Sequence, residues 1–294
     1  MTVSMLFAYP DQESMTQTIS DHLHAPIGQA VFRSFPDGES YVRLLEEVKG
    51  KKIAIVCSLN QPDPKLIPLL FFAKTAKDLG ANHVTLIAPY LAYMRQDTRF
   101  HSGESFSSKY FAALISQYFD ALITVDPHLH RHKTLEEVYS IPAHVLHAAP
   151  LLAAWIQKHV KRPLILGPDS ESRQWVSQVA DLINAPYQVL EKERYGDESV
   201  SVSFPQVKQY RDYTPIVVDD VISTAHTMIE AVKALKSAKM KKVICMAVHP
   251  VFAGDAFKRL SKTYVQQIVT CNTITHRSNA IDLSRSIADL LIHK

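Results

Sequence analysis

Pro215–Lys239, PIVVDDVISTAHTMIEAVKALKSAK, is a strand, a turn and a helix in one stretch, and its reading decides the fold class. Ile216, Val217 and Val218 form an unbroken apolar run, the composition of a parallel strand covered on both faces. Asp219 and Asp220 close the run, and a hydroxyl-rich turn with Ser223, Thr224 and Thr227 follows. Apolar residues then recur near every 3.6 positions, which predicts an amphipathic helix. Two adjacent carboxylates at a strand end suit the vicinal hydroxyls of a ribose, each acid accepting a hydrogen bond. The turn brings backbone N–H groups and hydroxyls to a helix N-terminus, where an anion is favoured. A solvated loop with an N-cap at Ser223 or Thr224 has the same composition.

The same alternation extends in both directions. Apolar runs VSMLFAY, KKIAIVCSL, HVTLIAPY, ALITVDPH, PLILGPD, KVICMAVHP and QIVTCNT read as strands. Segments such as PKLIPLLFFAKTAKDLG and SSKYFAALISQYF, spaced as helices, lie between them. Strands alternating with helices predict an α/β chain with mostly parallel sheets, doubly wound. The pattern pauses at YSIPAHVLH, residues 139–147, and resumes with APLLAAWIQKHV. A boundary near 145 gives domains 1–145 and 146–294, each with four or five strands. In such sheets ligands sit at the carboxyl ends of the strands, so the functional residues are sought there.

Composition narrows the function. With 32 basic and 29 acidic residues the net charge is +3, and there is no basic arm, so nucleic acid is not expected as the partner. No stretch reaches the ~18 apolar residues of a membrane span, and the N-terminus reads as a first strand instead of a signal peptide. Cys57, Cys245 and Cys271 lie in apolar, strand-like contexts and are expected to be buried free thiols in a reducing cytoplasm. There are only eight glycines, well under half of the ~7% average usage, so any phosphate loop here is built with little glycine.

Several further strand tips carry chemistry. In Phe35-Pro36-Asp37-Gly38-Glu39 the ring offers a stacking face and the carboxylates accept from an exocyclic amine, although a plain Pro-Asp-Gly turn reads alike. Pro89-Tyr90-Leu91-Ala92-Tyr93-Met94-Arg95-Gln96-Asp97 puts a cation after an apolar strand, followed by Gly103-Glu104-Ser105-Phe106-Ser107. Thr124-Val125-Asp126-Pro127-His128 ends another, and the alternation His128, His130, His132 also admits a zinc reading. Asp169 follows the run ending at Gly167, and Lys192 and Arg194, two apart, share one side of an extended segment.

Taken in order from Phe35 to Ile274, these stretches resemble the ribose-phosphate pyrophosphokinase family, on its archaeal-type side. The Asp219–Thr227 segment resembles the loop that this family shares with phosphoribosyltransferases, and the late Val269-Thr270-Cys271-Asn272-Thr273-Ile274 resembles a further family stretch. The resemblance implies two phosphoribosyltransferase-type domains and transfer of pyrophosphate from ATP to ribose 5-phosphate with Mg2+. It implies that Phe35, Asp37 and Glu39 hold adenine, and that Arg95, Gln96 and Asp97 serve the rest of ATP. It assigns His128 and Asp169 to the metal, Lys192 and Arg194 to catalysis, and Asp219, Asp220, Ser223, Thr224, Ala225, His226 and Thr227 to ribose 5-phosphate. It further implies a cytoplasmic homo-oligomer built from dimers, with adenine held partly by a neighbouring subunit.

Two departures stand out. Asp169-Ser170-Glu171-Ser172 lacks the glycines usual after that aspartate, and His226 stands where the loop usually has glycine. Side chains there remove backbone freedom, so ordinary helical geometry is the expected solution. A non-catalytic paralogue and a phosphoribosyltransferase that consumes the product are the alternative readings.

Overall fold

The computed structural model describes residues 3–99, 101–129, 131–195, 199–204 and 206–292. The chain divides into two compact units, Met1–Leu146 with Thr273–Thr275 and Leu283–Lys294, and His147–Asn272 with His276–Asp282.

In the first unit, β1 (Met5–Ala8), α1 (Glu13–Leu23) and β2 (Ile27–Gly28) lead into a hairpin of β3 (Ala30–Ser34) and β4 (Ser40–Leu44). Next come β5 (Lys52–Val56), α2 (Asp63–Asp78), β6 (His83–Ala88), α3 (Ser107–Tyr118), β7 (Ala121–Val125) and β8 (Ala143–Leu146). The parallel sheet has the order β2-β1-β5-β6-β7-β8. Phe7, Ile53, Ile55, Val84, Leu86 and Leu122 point to one face, where Leu69 and Phe72 of α2 and Phe111 and Ile115 of α3 close over them. Each such side chain, fully buried, contributes about 1.5–3 kcal/mol.

In the second unit, α4 (Ala149–His159), β9 (Pro163–Gly167), α5 (Arg173–Leu182) and β10 (Tyr187–Val189) precede an antiparallel pair, β11 (Glu191–Tyr195) with β12 (Ser199–Ser203). β13 (Thr214–Ile222), α6 (His226–Ser237), β14 (Val243–Pro250), α7 (Ala256–Ser261), β15 (Val265–Cys271) and β16 (Asn279–Ile281) complete it. Its parallel sheet has the order β10-β9-β13-β14-β15-β16. Each α/β sheet therefore holds six strands, not four or five. The extra ones are short edge strands, and too few of their residues are apolar to form a run. β8 lies within the stretch where the alternation seemed to pause.

The chain also returns to the first unit, which a single cut at 145 does not foresee. Thr273 accepts a hydrogen bond from the buried Ser58 hydroxyl, and Thr275 Oγ1 donates to Asp11 O at 3.1 Å. α8 (Ser284–Ile292) packs beside α1, with His22 Nε2 2.8 Å from Asp289 Oδ1. Its apolar stripe, Ile287, Ala288 and Leu291, covers sheet surface that the first unit would otherwise expose.

Candidate active site

The first unit carries three of the predicted stretches. Phe35 N–H donates to Glu39 O at 2.8 Å and Gly38 N–H to Phe35 O at 2.9 Å, which closes the β3–β4 hairpin as a tight turn. Gly38, at φ 93°, supplies the left-handed residue this turn needs. Phe35, Asp37 and Glu39 are exposed at the tip. After β6, Tyr93 takes a left-handed conformation and its hydroxyl hydrogen-bonds Asp63 on α2. Arg95 is exposed, while the Gln96 side-chain carbonyl accepts from Ser107 Oγ at 2.7 Å. Asp97 turns inward. Its side chain is 3% exposed and Oδ1 lies 2.5 Å from Nη1 of Arg131. That pair ties the Arg95–Asp97 loop to the loop after β7, which carries the half-buried His128. His132 is directed to Glu137, 3.3 Å away, and His130 lies outside the described residues.

In the second unit, Pro168 and Asp169 leave β9 and enter a capping turn. Asp169 Oδ1 accepts Ser172 N–H at 3.1 Å, and Ser172 Oγ donates to Asp169 O at 2.6 Å. A Cβ on Gly167 would come within 2.3 Å of Ser172 Oγ, so this turn depends on a glycine before it. Ser172 is helical at φ −73°, ψ −8°, as expected for the glycine-poor stretch. Leu190 N–H donates to Gly167 O at 2.9 Å, so the strand bearing Lys192 and Arg194 starts beside this turn.

β13 does not stop at the paired acids. It pairs with the wholly buried β14 as far as Ile222, with Asp219 opposite Ala247 and Val221 opposite His249. Asp219 Oδ1 accepts Asp220 N–H at 3.1 Å. Burial first, then the charges of Asp220 and Asp169, push the Asp219 pKa well above the usual carboxylate range. The turn behind the acids is fixed from its carbonyl side. Ile222 O accepts Phe252 N–H at 2.9 Å, Ser223 O accepts Ala253 N–H at 3.0 Å, and Thr224 O accepts Arg259 Nη2 at 2.8 Å. His226 begins α6 in ordinary helical geometry, 3.0 Å from Glu230. The left-handed position, φ 60°, falls one residue earlier, on Ala225.

Residues 4–118 match the N-terminal domain of ribose phosphate pyrophosphokinase, and residues 134–284 match the phosphoribosyl transferase domain. The ribose-phosphate pyrophosphokinase of Sulfurisphaera tokodaii is 35% identical over 92% of this chain and 94% of its own. The chain belongs to the ribose-phosphate pyrophosphokinase family. The family enzyme of Methanothermobacter thermautotrophicus is 31% identical over 98% of this chain and 99% of its own. The crystal structure of phosphoribosylpyrophosphate synthetase from Mycobacterium smegmatis superposes with a TM-score of 0.87 at 25% identity, covering 98% of this chain and 97% of that one.

Within this pyrophosphokinase, Phe35, Asp37, Glu39, Arg95, Gln96, Asp97 and His128 lie in the first unit. Asp169, Lys192, Arg194 and residues 219–227 lie in the second. The side chains of Lys192 and Arg194 lie outside what is described. Sequence reasoning missed Arg131 and Arg259, whose contacts are 34 and 35 residues away along the chain and leave no local pattern. It also missed Arg33 and Tyr41, which a closer look at alternation about the Pro-Asp-Gly turn would have placed on the face of Phe35. Among the described residues no group of three or more His, Cys, Asp and Glu forms a metal cage. Asp169 adds negative charge near Asp219, which suits a hard cation that binds few protein groups and keeps phosphate and water oxygens. No helix of the described residues is long and apolar enough to cross a membrane.

Proposed function

We propose that this chain is an active ribose-phosphate diphosphokinase, converting ATP and ribose 5-phosphate to phosphoribosyl pyrophosphate and AMP. The observation that carries the reading is the turn at 222–224, held on three successive carbonyls behind Asp219 and Asp220. Such a turn meets a sugar phosphate with little reorganisation, which favours catalysis by positioning. Asp219 and Asp220 accept from the ribose hydroxyls, and Ser223 to Thr227 take the 5-phosphate at the start of α6.

The ribose O1 attacks the β-phosphorus, a new O1–P bond forms, and the bond from that phosphorus to the oxygen bridging to the α-phosphate breaks. AMP leaves with the bridging oxygen, and the O1 proton is released. Lys192 and Arg194 stabilise charge on the transferred group, while Arg95 and Gln96 position the triphosphate. Asp97, buried and paired with Arg131, serves ATP by holding this loop. His128 and Asp169 would hold Mg2+, which would supply positive charge against the phosphates of ATP. Phe35, Asp37 and Glu39 hold adenine from an exposed tip available to a neighbouring subunit, in a cytoplasmic homo-oligomer built from dimers.

The test is AMP formation from ATP that requires ribose 5-phosphate and Mg2+ and no base acceptor. Lys192→Ala should lower kcat about 100- to 1000-fold with nucleotide affinity little changed. An unchanged kcat removes Lys192 from the mechanism, and AMP formed only with a base acceptor supports the transferase reading instead. ATP binding without turnover under any divalent metal marks a non-catalytic paralogue.

A further inference from the structure

We propose that Arg33 and Tyr41 are positioning residues for the nucleotide base, acting through Phe35 and favouring a purine over a pyrimidine. The proposal rests on the functional reading above and adds the basis of donor selection.

The alternation of the β3–β4 hairpin separates two faces. Ala30, Phe32, Val42 and Leu44 lie on the inner face and join the core of the first unit, with the Phe32 ring 4.8 Å from that of Tyr9 and 5.9 Å from that of Phe72. Arg33 and Tyr41 are directly opposed across the pair on the outer face, and Phe35 follows Arg33 by two residues on that same face. The Arg33 guanidinium carbon is 4.1 Å from the Tyr41 ring centroid and 4.7 Å from that of Phe35. The two rings meet nearly at right angles, 88°, with centroids 5.8 Å apart, and the guanidinium fills the corner between them.

An exposed phenylalanine at a turn would ordinarily sample several rotamers, and ordering it on binding would oppose affinity. Here one face of Phe35 is covered by a cation that Tyr41 also holds, while the residue stays 39% exposed. Its ring is therefore pre-set for a flat partner. Asp37 and Glu39 flank it with carboxylates that accept from an exocyclic amine. ATP and CTP both carry such an amine, so the stacked area is what distinguishes them. A two-ring base gains more from a fixed platform than a one-ring base does.

Steady-state rates with ATP and with CTP are measured for wild type, Arg33→Met, Arg33→Lys and Tyr41→Leu. Arg33→Met keeps the length of the side chain and removes the charge. It should lower kcat/KM for ATP about three- to tenfold, through KM, leave CTP within about twofold, and leave KM for ribose 5-phosphate unchanged. Arg33→Lys should recover part of the loss, and Tyr41→Leu should fall between. An equal drop with both donors, as a merely structural role would give, overturns the proposal, and so does no change with either. Absence of turnover in the wild type would instead refute the enzymatic reading. Calorimetric affinities for ATP and CTP across the same variants then decide the role of Arg33, with no change in their ratio, or no binding, counting against it.

Discussion

Replacing Arg131 by alanine tests whether the Arg95–Asp97 loop is held by one buried ion pair. Asp97 has a side chain 3% exposed, its Oδ1 lies 2.5 Å from Arg131, and its Oδ2 has no hydrogen-bond partner among the described residues. Arg131→Ala therefore strands a carboxylate in a place where water reaches it poorly. Removing one partner of a fully buried pair costs about 3–5 kcal/mol. Arg131 is 52% exposed, so solvent already screens part of the attraction, and the expected cost drops to about 2 kcal/mol. For a unit of this size that lowers Tm by about 4–8 °C. Thermal melts of the full chain are run on Arg131→Ala, Asp97→Asn and the double variant. With the charge at 97 already gone, the arginine should matter little, so the double variant should melt within about 0.5 kcal/mol of Asp97→Asn. KM for ATP should rise in Arg131→Ala because the loop carrying Arg95 and Gln96 loses its tie. Equal destabilisation by Arg131→Ala with and without the aspartate would refute the reasoning.

Two more expectations concern the second unit. Asp219 is harder to ionise in the folded chain than in the unfolded one, so its ionisation costs stability as pH rises from about the unfolded value of 3.8 through its raised folded pKa, and the penalty is constant above that. Asp219→Asn should therefore raise Tm at neutral and higher pH, leave it unchanged near the unfolded value, and weaken ribose 5-phosphate binding. A fall in Tm at neutral pH would contradict this. At Ala225, φ 60°, glycine relieves left-handed strain but loses a buried methyl and frees the unfolded chain. Ala225→Gly should stay within about 0.5 kcal/mol of wild type in urea unfolding, whereas Ala225→Val, β-branched at positive φ, should lose about 2 kcal/mol or more. Equal effects of the two would show that φ at 225 is not the constraint.

Much of the fold is legible as pattern. The strands β1, β5, β6, β7, β9, β13, β14 and β15 show in the sequence as apolar stretches, because parallel strands covered on both faces admit few polar residues. The edge strands β2, β8, β10 and β16 escape the same reading, since two to four half-covered residues make no run. β13 illustrates a different limit. Two adjacent acids look like a strand end, yet pairing with β14 carries the strand on to Ile222. At the His226 departure the helix starts at His226 itself, and the left-handed residue is Ala225.

What the amino-acid order alone determined is the α/β class, the placing of chemistry at strand tips, and the series of motifs that shows the family. These depend on residues adjacent along the chain or spaced by one element's period. Tertiary structure decided which polar groups do the holding. Arg131 reaches Asp97, Arg259 reaches the turn at Thr224, and α8 returns to the first unit, all across separations that leave no periodic trace. Such contacts form because a buried charge, a bare carbonyl or an open apolar face must find a partner. Which partner comes within reach is known only once the sheets are folded.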